Sequence, residues 1–328
     1  MATTTSPTPA TAPRRRRFTR GQRVVLWILG LAILVVGLAL AALVVAESRM
    51  QDAGPLPALA DDGGVWLVVG SDSREFLPDD LDGSFGSFTG SRADVVMLVQ
   101  ATNDRRQVIS LPRDLKVEIP GNGTNRINAA YAFGGPNLLV QTVAGATGIR
   151  PAHYLEVGFG GFAAIVDALG GIELDVPYPS RDLKSGLDIP AGRQTIDGAT
   201  ALAYVRSRSL EELRDGEWVA AGGGDIARTG RQREVLLQII DKASSPLGLL
   251  RAPRAALSAT SYLTADSGTG VGDLARLAWG MQTASTTEAT ALPVRISNEG
   301  GVSYVVRVEP DATTMLQAFS DGRPLPAG

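Results

Sequence analysis

From Val24 to Ala46 the chain is apolar, without one charged residue. As a helix this stretch covers roughly 35 Å, enough to cross a hydrocarbon core. It is longer than the roughly 7–15 residue apolar region of a cleavable signal, so 24–46 predicts a transmembrane helix. Beyond it the pattern breaks into short blocks. Val65–Val69 is apolar throughout and closes on Gly70-Ser71-Asp72, as expected of a strand covered on both faces. Further strands are expected over Val95–Gln100, Gln107–Leu111, Leu115–Ile119, Tyr154–Val157, Ile172–Val176, Leu292–Ile296 and Tyr304–Val308. A turn is expected at Gly121-Asn122-Gly123. Helical spacing opens at Arg126, restarts at Pro136, and returns over Phe159–Leu169, where Gly170-Gly171 stops it. It returns over Asp197–Val205 with Asp197 as cap, from near Asp225 to Ala243, and over Leu247–Ala259 and Val271–Gln282. Polar loops are expected from Val176 to Gly192, and a long acidic loop with Trp218 over Glu211–Gly224. Strands alternating with helices predict a three-layer α/β/α sandwich on a mixed central sheet, preceded by the one membrane helix.

The flanks set the topology. Met1–Pro13 is Thr, Pro and Ala without periodicity, and Arg14–Arg17, Arg20 and Arg23 stand just before the apolar run. Basic residues on that side keep the N-terminus in the cytoplasm and place everything after Glu47 outside. The expected organisation is a disordered basic arm over 1–23, a single-pass helix over 24–46, a linker over 47–64 and one extracytoplasmic domain over 65–328. A net charge of −3 over 328 residues argues against a nucleic-acid partner. The absence of cysteine excludes thiolate metal sites and disulfides, and the single His153 leaves little room for imidazole-ligated metals.

The chemistry concentrates in arginines. Arg206 and Arg208 stand two apart, which on an extended segment points both to one side. Asp225, Arg228 and Gln232 stand at i, i+3 and i+7, one face of a helix. Asp72 with Arg74, and Arg92 with Asp94, repeat the two-residue spacing, and Pro112-Arg113-Asp114 closes a strand. Six arginines (Arg74, Arg92, Arg113, Arg206, Arg208, Arg228) against three aspartates (Asp72, Asp94, Asp225) leave a local excess of three positive charges in a net-negative chain. Guanidinium forks match phosphate oxygens in geometry and charge, so the expected ligand is a pyrophosphate.

In order, these motifs, with Arg126-Ile127-Asn128-Ala129-Ala130-Tyr131, Ala168-Leu169-Gly170-Gly171-Ile172 and Tyr204 to Arg208, are similar to those of the LytR-CpsA-Psr group of bacterial cell-wall enzymes. The resemblance covers about Val65 to Ser245. It implies a phosphotransferase that moves a glycopolymer from a polyprenyl-pyrophosphate carrier to a peptidoglycan hydroxyl, with the polyprenyl chain in an apolar tunnel. It assigns Arg92, Arg113, Arg206, Arg208, Arg228 and Gln232 to the pyrophosphate, with Arg74 and Arg126 as further candidates. Asp72 and Asp94 are assigned to Mg2+ (Mn2+ the alternative ion), and Asp225 ligates it or orients arginines. Asp94, Arg113 and Arg206 are expected to carry catalysis, and the base is either an aspartate such as Asp94 or the metal acting on the acceptor hydroxyl. The implied partners are the lipid-linked polymer, peptidoglycan and the membrane. Two rival readings stay open: a polyprenyl-pyrophosphate hydrolase using water, and a membrane-bound transcriptional attenuator. Asp114 and His153 are expected to be structural.

Overall fold

The computed structural model describes residues 45, 47–61, 63–71, 93–101, 105–222, 230, 231, 234, 235, 238, 239, 242, 260–284 and 286–326. The expected membrane helix over 24–46, the basic arm and the helix over 247–259 lie outside the described residues, Val45 apart. Among the described residues no helix is long and apolar enough to cross a membrane.

A seven-stranded mixed sheet forms the frame. Its centre is β2 (Val65–Ser71), the apolar run of the sequence, and short β1 (Gln51–Asp52) lies at one edge. β3 (Ala93–Ala101) pairs antiparallel with β2, and β4 (Arg105–Leu111) antiparallel with β3. After the hairpin of β5 (Lys116–Ile119) and β6 (Gly123–Arg126) comes the helix α1 (Ile127–Thr147), then β7 (His153–Val157), parallel to β2. α1 breaks at Gly134 and Gly135, the latter at φ 60°, so helical spacing does restart at Pro136.

Each central strand alternates between two cores, as a period of two requires. Leu67, Val69, Val96, Leu98, Ile109 and Tyr154 face α1. Trp66, Val99 and Val108 face the opposite side with Met281. At about 1.5–3 kcal/mol per fully buried large aliphatic side chain, the two faces supply most of the drive to pair these strands.

A second, smaller core joins α2 (Phe159–Ala168), β8 (Ile172–Val176), β9 (Ser180–Asp182), β10 (Leu187–Ile189), β11 (Gly192–Ile196) and α3 (Gly198–Arg206). The polar loops expected before Gly192 are therefore partly strands: β9 pairs with β10, with Leu187 and Ile189 buried. Likewise 211–222 is not an open loop. β12 (Glu211–Arg214) and β13 (Glu217–Ala220) form a hairpin on β9, turning through Asp215 at φ 52° and Gly216 at φ 85°.

The chain closes with β14 (Leu263–Ala265), α4 (Val271–Thr283), β15 (Thr286–Ala291), the β16 (Val294–Glu299) and β17 (Val302–Arg307) hairpin, and α5 (Asp311–Ser320). α4 covers the Trp66 face through Leu274, Leu277 and Met281, while Met315, Leu316 and Phe319 of α5 join α1. Helices thus lie on both faces of a mixed sheet. β15 adds an edge strand parallel to β4 that the sequence pattern did not predict, and the strand expected at 292–296 falls instead over Val294–Glu299.

Candidate active site

β2, β4 and β7 run in the same direction, so their carboxyl ends reach one edge of the sheet, the usual place for a ligand in open α/β folds. β3 starts at that edge, with Ala93 paired to Ser71 across a register shift. Asp94 is therefore delivered beside the end of β4, where Pro112 and Arg113 turn the chain. Arg113 donates from Nη1 to Asp94 Oδ1 at 3.0 Å, and its Nε faces Asp114 Oδ2 at 3.4 Å. Asp114 also faces Arg126 Nε at 3.4 Å, and Arg126 donates to the Ser303 carbonyl at 2.9 Å. Asp114 has the structural role expected of it, and the described contacts of Arg126 tie it to β17. Arg113 and Asp94 stay partly exposed, 18% and 29% at their side chains, so an incoming anion can reach the guanidinium.

Arg206 is reached by a different route. α3 is capped by Asp197, whose carboxylate accepts from the Thr200 N–H at 2.9 Å, and Arg206 is its last residue. A cation there complements the negative end of the helix dipole. The reading of Arg206 and Arg208 as neighbours on an extended segment is thus corrected: Arg206 ends a helix, and the chain straightens only at Ser207 (φ −57°, ψ 126°). Its guanidinium lies over the Phe159 ring, 4.8 Å from the centroid, at the point where β7 gives way to α2. α3 packs close to α2 because Gly198 has no side chain; a Cβ there would stand 2.2 Å from the Ala163 carbonyl oxygen.

Two residues passed over in the sequence hold the Arg206–Arg208 turn. Asp182, on β9, is buried at 1% exposure. Its Oδ2 accepts from Ser207 Oγ at 2.8 Å, the Arg208 N–H at 3.0 Å and the Ser209 N–H at 2.9 Å. Burial pushes this carboxyl up, but the bonds from Ser209, Ser207, Lys184 and Arg208 outweigh it and hold the group below its ordinary range. Arg231, also buried, donates to the Ser207 carbonyl and, at 3.3 Å, to the Tyr204 carbonyl. Desolvation draws its guanidinium pKa down. Burial and, next, the charge of Glu234 push the Tyr204 hydroxyl up to about 12, so it stays protonated at neutral pH.

The remaining assigned residues, Asp72, Arg74, Arg92, Asp225, Arg228 and Gln232, lie outside the described residues. Among the described residues no group of three or more acidic or histidine side chains could hold a metal. Asp94, bound to Arg113 through one oxygen, is the described member of the expected Mg2+ set. A single carboxylate fits an ion that keeps several waters. His153 is structural, stacked on Trp66 at 4.3 Å and bonded to Thr269 Oγ1 at 2.7 Å.

A sequence model of the LytR_cpsA_psr family matches residues 46–320. The chain belongs to the LytR-CpsA-Psr family. It is 40% identical over 272 residues to the probable cell wall biosynthesis protein LcpB of Corynebacterium glutamicum, covering 79% of this chain and 63% of that relative. It is 32% identical over 185 residues to the polyisoprenyl-teichoic acid–peptidoglycan teichoic acid transferase TagT of Bacillus subtilis, covering 55% of this chain and 52% of TagT. The matches therefore span less than two thirds of either relative. Among solved structures, the LytR-Csp2A-Psr enzyme from Actinomyces oris superposes with a TM-score of 0.65 at 32% identity, over 83% of this chain and 94% of that one. The α/β fold with its mixed sheet is that of the family.

Proposed function

We propose that this LytR-CpsA-Psr protein is a phosphotransferase that moves a glycopolymer from a polyprenyl-pyrophosphate carrier to a hydroxyl of peptidoglycan. It works outside the cell membrane, anchored by the helix expected over 24–46. The observation that carries this reading is the partly exposed Arg113–Asp94 pair at the sheet edge where β7 also ends, leading to Phe159 beneath Arg206. Relatives named as teichoic acid transferases support the kind of reaction. Phosphoryl transfer asks a protein mainly for positioning and for neutralising charge, which guanidinium groups supply.

In this reading Arg113, Arg206 and Arg208, with Arg74, Arg92, Arg228 and Gln232, bind the pyrophosphate. The acceptor oxygen bonds to the phosphorus that carries the polymer. The bond from that phosphorus to the bridging oxygen breaks, and polyprenyl monophosphate leaves with the electron pair. The acceptor proton passes to a carboxylate, for which Asp94 is the described candidate. Asp94 with Asp72 and Asp225 would hold Mg2+, which would supply further neutralisation of pyrophosphate charge. Asp182 and Arg231 keep the Arg206–Arg208 turn in place.

The test uses the full chain in detergent with a polyprenyl-pyrophosphate-linked polymer, Mg2+ and peptidoglycan. Arg113→Ala and Arg206→Ala should each lower transfer by about ten- to a hundred-fold or more, the scale of one charge-assisted contact, with the fold intact. Wild-type rates in both variants would sink the site. Release of polyprenyl monophosphate at the same rate with and without peptidoglycan would make the protein a hydrolase instead.

A further inference from the structure

One cavity near the arginines has a chemistry they do not share. It holds about 280 Å³ and is lined by Asp52, Ser71, Tyr131, Glu156, Tyr262 and Thr264, among others. It adjoins the arginine site on two sides. Ser71 pairs with Ala93, one residue before Asp94, and Gly158 in its wall precedes Phe159 beneath Arg206.

Two of its groups are unusual. Glu156 is only 6% exposed, on the α1 face of the central strand β7. Its two oxygens accept from Tyr131 Oη at 2.8 Å and Tyr154 Oη at 2.7 Å. Burial, and then the charge of Glu156, push the Tyr154 hydroxyl far up, so this donor keeps its proton. Ser71 is 1% exposed, and among the described residues its Oγ has no hydrogen-bond partner. A buried hydroxyl without a partner is destabilising, and a hydrogen bond to a ligand offsets that cost.

The lining also limits what can bind. Among the described lining residues there is no Lys or Arg, and two carboxylates stand there, so a phosphate is disfavoured. Its aliphatic members are few, Ala53 and Pro136, so a hydrocarbon chain gains little. Carboxylate, hydroxyl and tyrosine groups around a small hollow suit a neutral ligand rich in hydroxyls.

We propose that this cavity binds a pyranose of the acceptor glycan, with Ser71 Oγ and Glu156 as its buried hydrogen-bond partners. The arginines hold the anionic donor, and the carboxylate-lined hollow beside them takes the uncharged sugar that attacks it. The identity of the sugar rests on the transferase reading; the hollow and its partners do not.

The experiment measures binding to the full chain in detergent by calorimetry. One arm uses the peptidoglycan disaccharide of N-acetylglucosamine and N-acetylmuramic acid with its lactyl carboxyl group amidated, so that the probe is uncharged, the other the lipid-linked polymer. Ser71→Ala should weaken disaccharide binding about five- to tenfold while its melting temperature stays level or rises, because the lost hydroxyl had no partner among the described residues. Glu156→Gln should weaken it about tenfold or more. Lipid-linked polymer should bind both variants as it binds the wild type. No disaccharide binding by the wild type, or unchanged binding by Ser71→Ala, overturns the proposal. Weakening confined to the lipid-linked polymer does so too, since the sugar would then be the donor's. Disaccharide binding that persists where the transfer assay shows no product sinks the transferase reading and leaves the pocket standing.

Discussion

Asp182 shows how little of a site need touch its ligand. One carboxylate oxygen gathers a side-chain hydroxyl and two backbone N–H groups, fixing the turn that carries Arg208 two residues beyond Arg206. Asp182→Ala leaves those donors unmet, and the expected cost is roughly 3 kcal/mol in urea unfolding, with transfer falling alongside. Asp182→Asn retains an acceptor oxygen and should recover part of both; equal losses in the two variants would refute the acceptor role. The sequence made Arg113, Arg206 and Arg208 legible because their neighbours form motifs. Asp182 was not legible: the stretch up to Gly192 reads as polar loop, and Asp182 stands where β9 gives way to a turn, its Oδ1 accepting from the Lys184 N–H at 2.9 Å. The other oxygen of that carboxylate works at long range, and spacing along the chain carries no trace of it. Glu156 left a fainter sign, a charge inside a strand whose neighbours are apolar.

Among elements, α3 is a lever: capped at Asp197, pressed on α2 at Gly198 and ended by Arg206. Gly198→Ala would drive a methyl group into the Ala163 backbone. The expected result is a loss of about 1–3 kcal/mol, the usual cost of overpacking, and a transfer rate lower than that stability change explains. Thermal melts and initial rates measured together check it, and an unchanged rate would show that α3 does not need its close seat. Apolar patterning located α2 and α3 well because each buries one face, and β2 and β3 because they bury both. It failed for β15, Thr286–Ala291, whose small and polar residues carry no alternation and which is held by parallel pairing with β4. It also passed over the Asp215-Gly216 pair, a hairpin signal in its own right, because the acidic residues around it suggested a loop.

Across the whole molecule, the far edge of the sheet is clasped by Glu288. Its carboxylate accepts from Arg105 at 2.9 Å, Gln107 at 2.7 Å and the Leu325 N–H at 2.9 Å, joining β4, β15 and the chain beyond α5. Burial pushes the group up, yet the bonds from Gln107, Leu325 and Arg105 outweigh it and hold the pKa below the ordinary value. A carboxyl depressed in the fold adds stability that is complete above the unfolded pKa of about 4.3 and is lost as pH falls through the folded value. Melts between pH 3 and 7 should show Glu288→Gln less stable than wild type at neutrality, with the gap closing in acid; a constant gap would contradict the linkage. The mixed sheet itself was readable from alternating strands and helices, whereas its order was not, because pairing depends on contacts between distant segments. That same order has a consequence for biosynthesis. Ser71, Asp94, Arg113, Glu156 and Arg206 come from widely spaced parts of the chain, and Arg231, which braces the last of them, is translated later still. A nascent chain therefore carries the early ingredients of the site long before Arg231, which braces it, has been made.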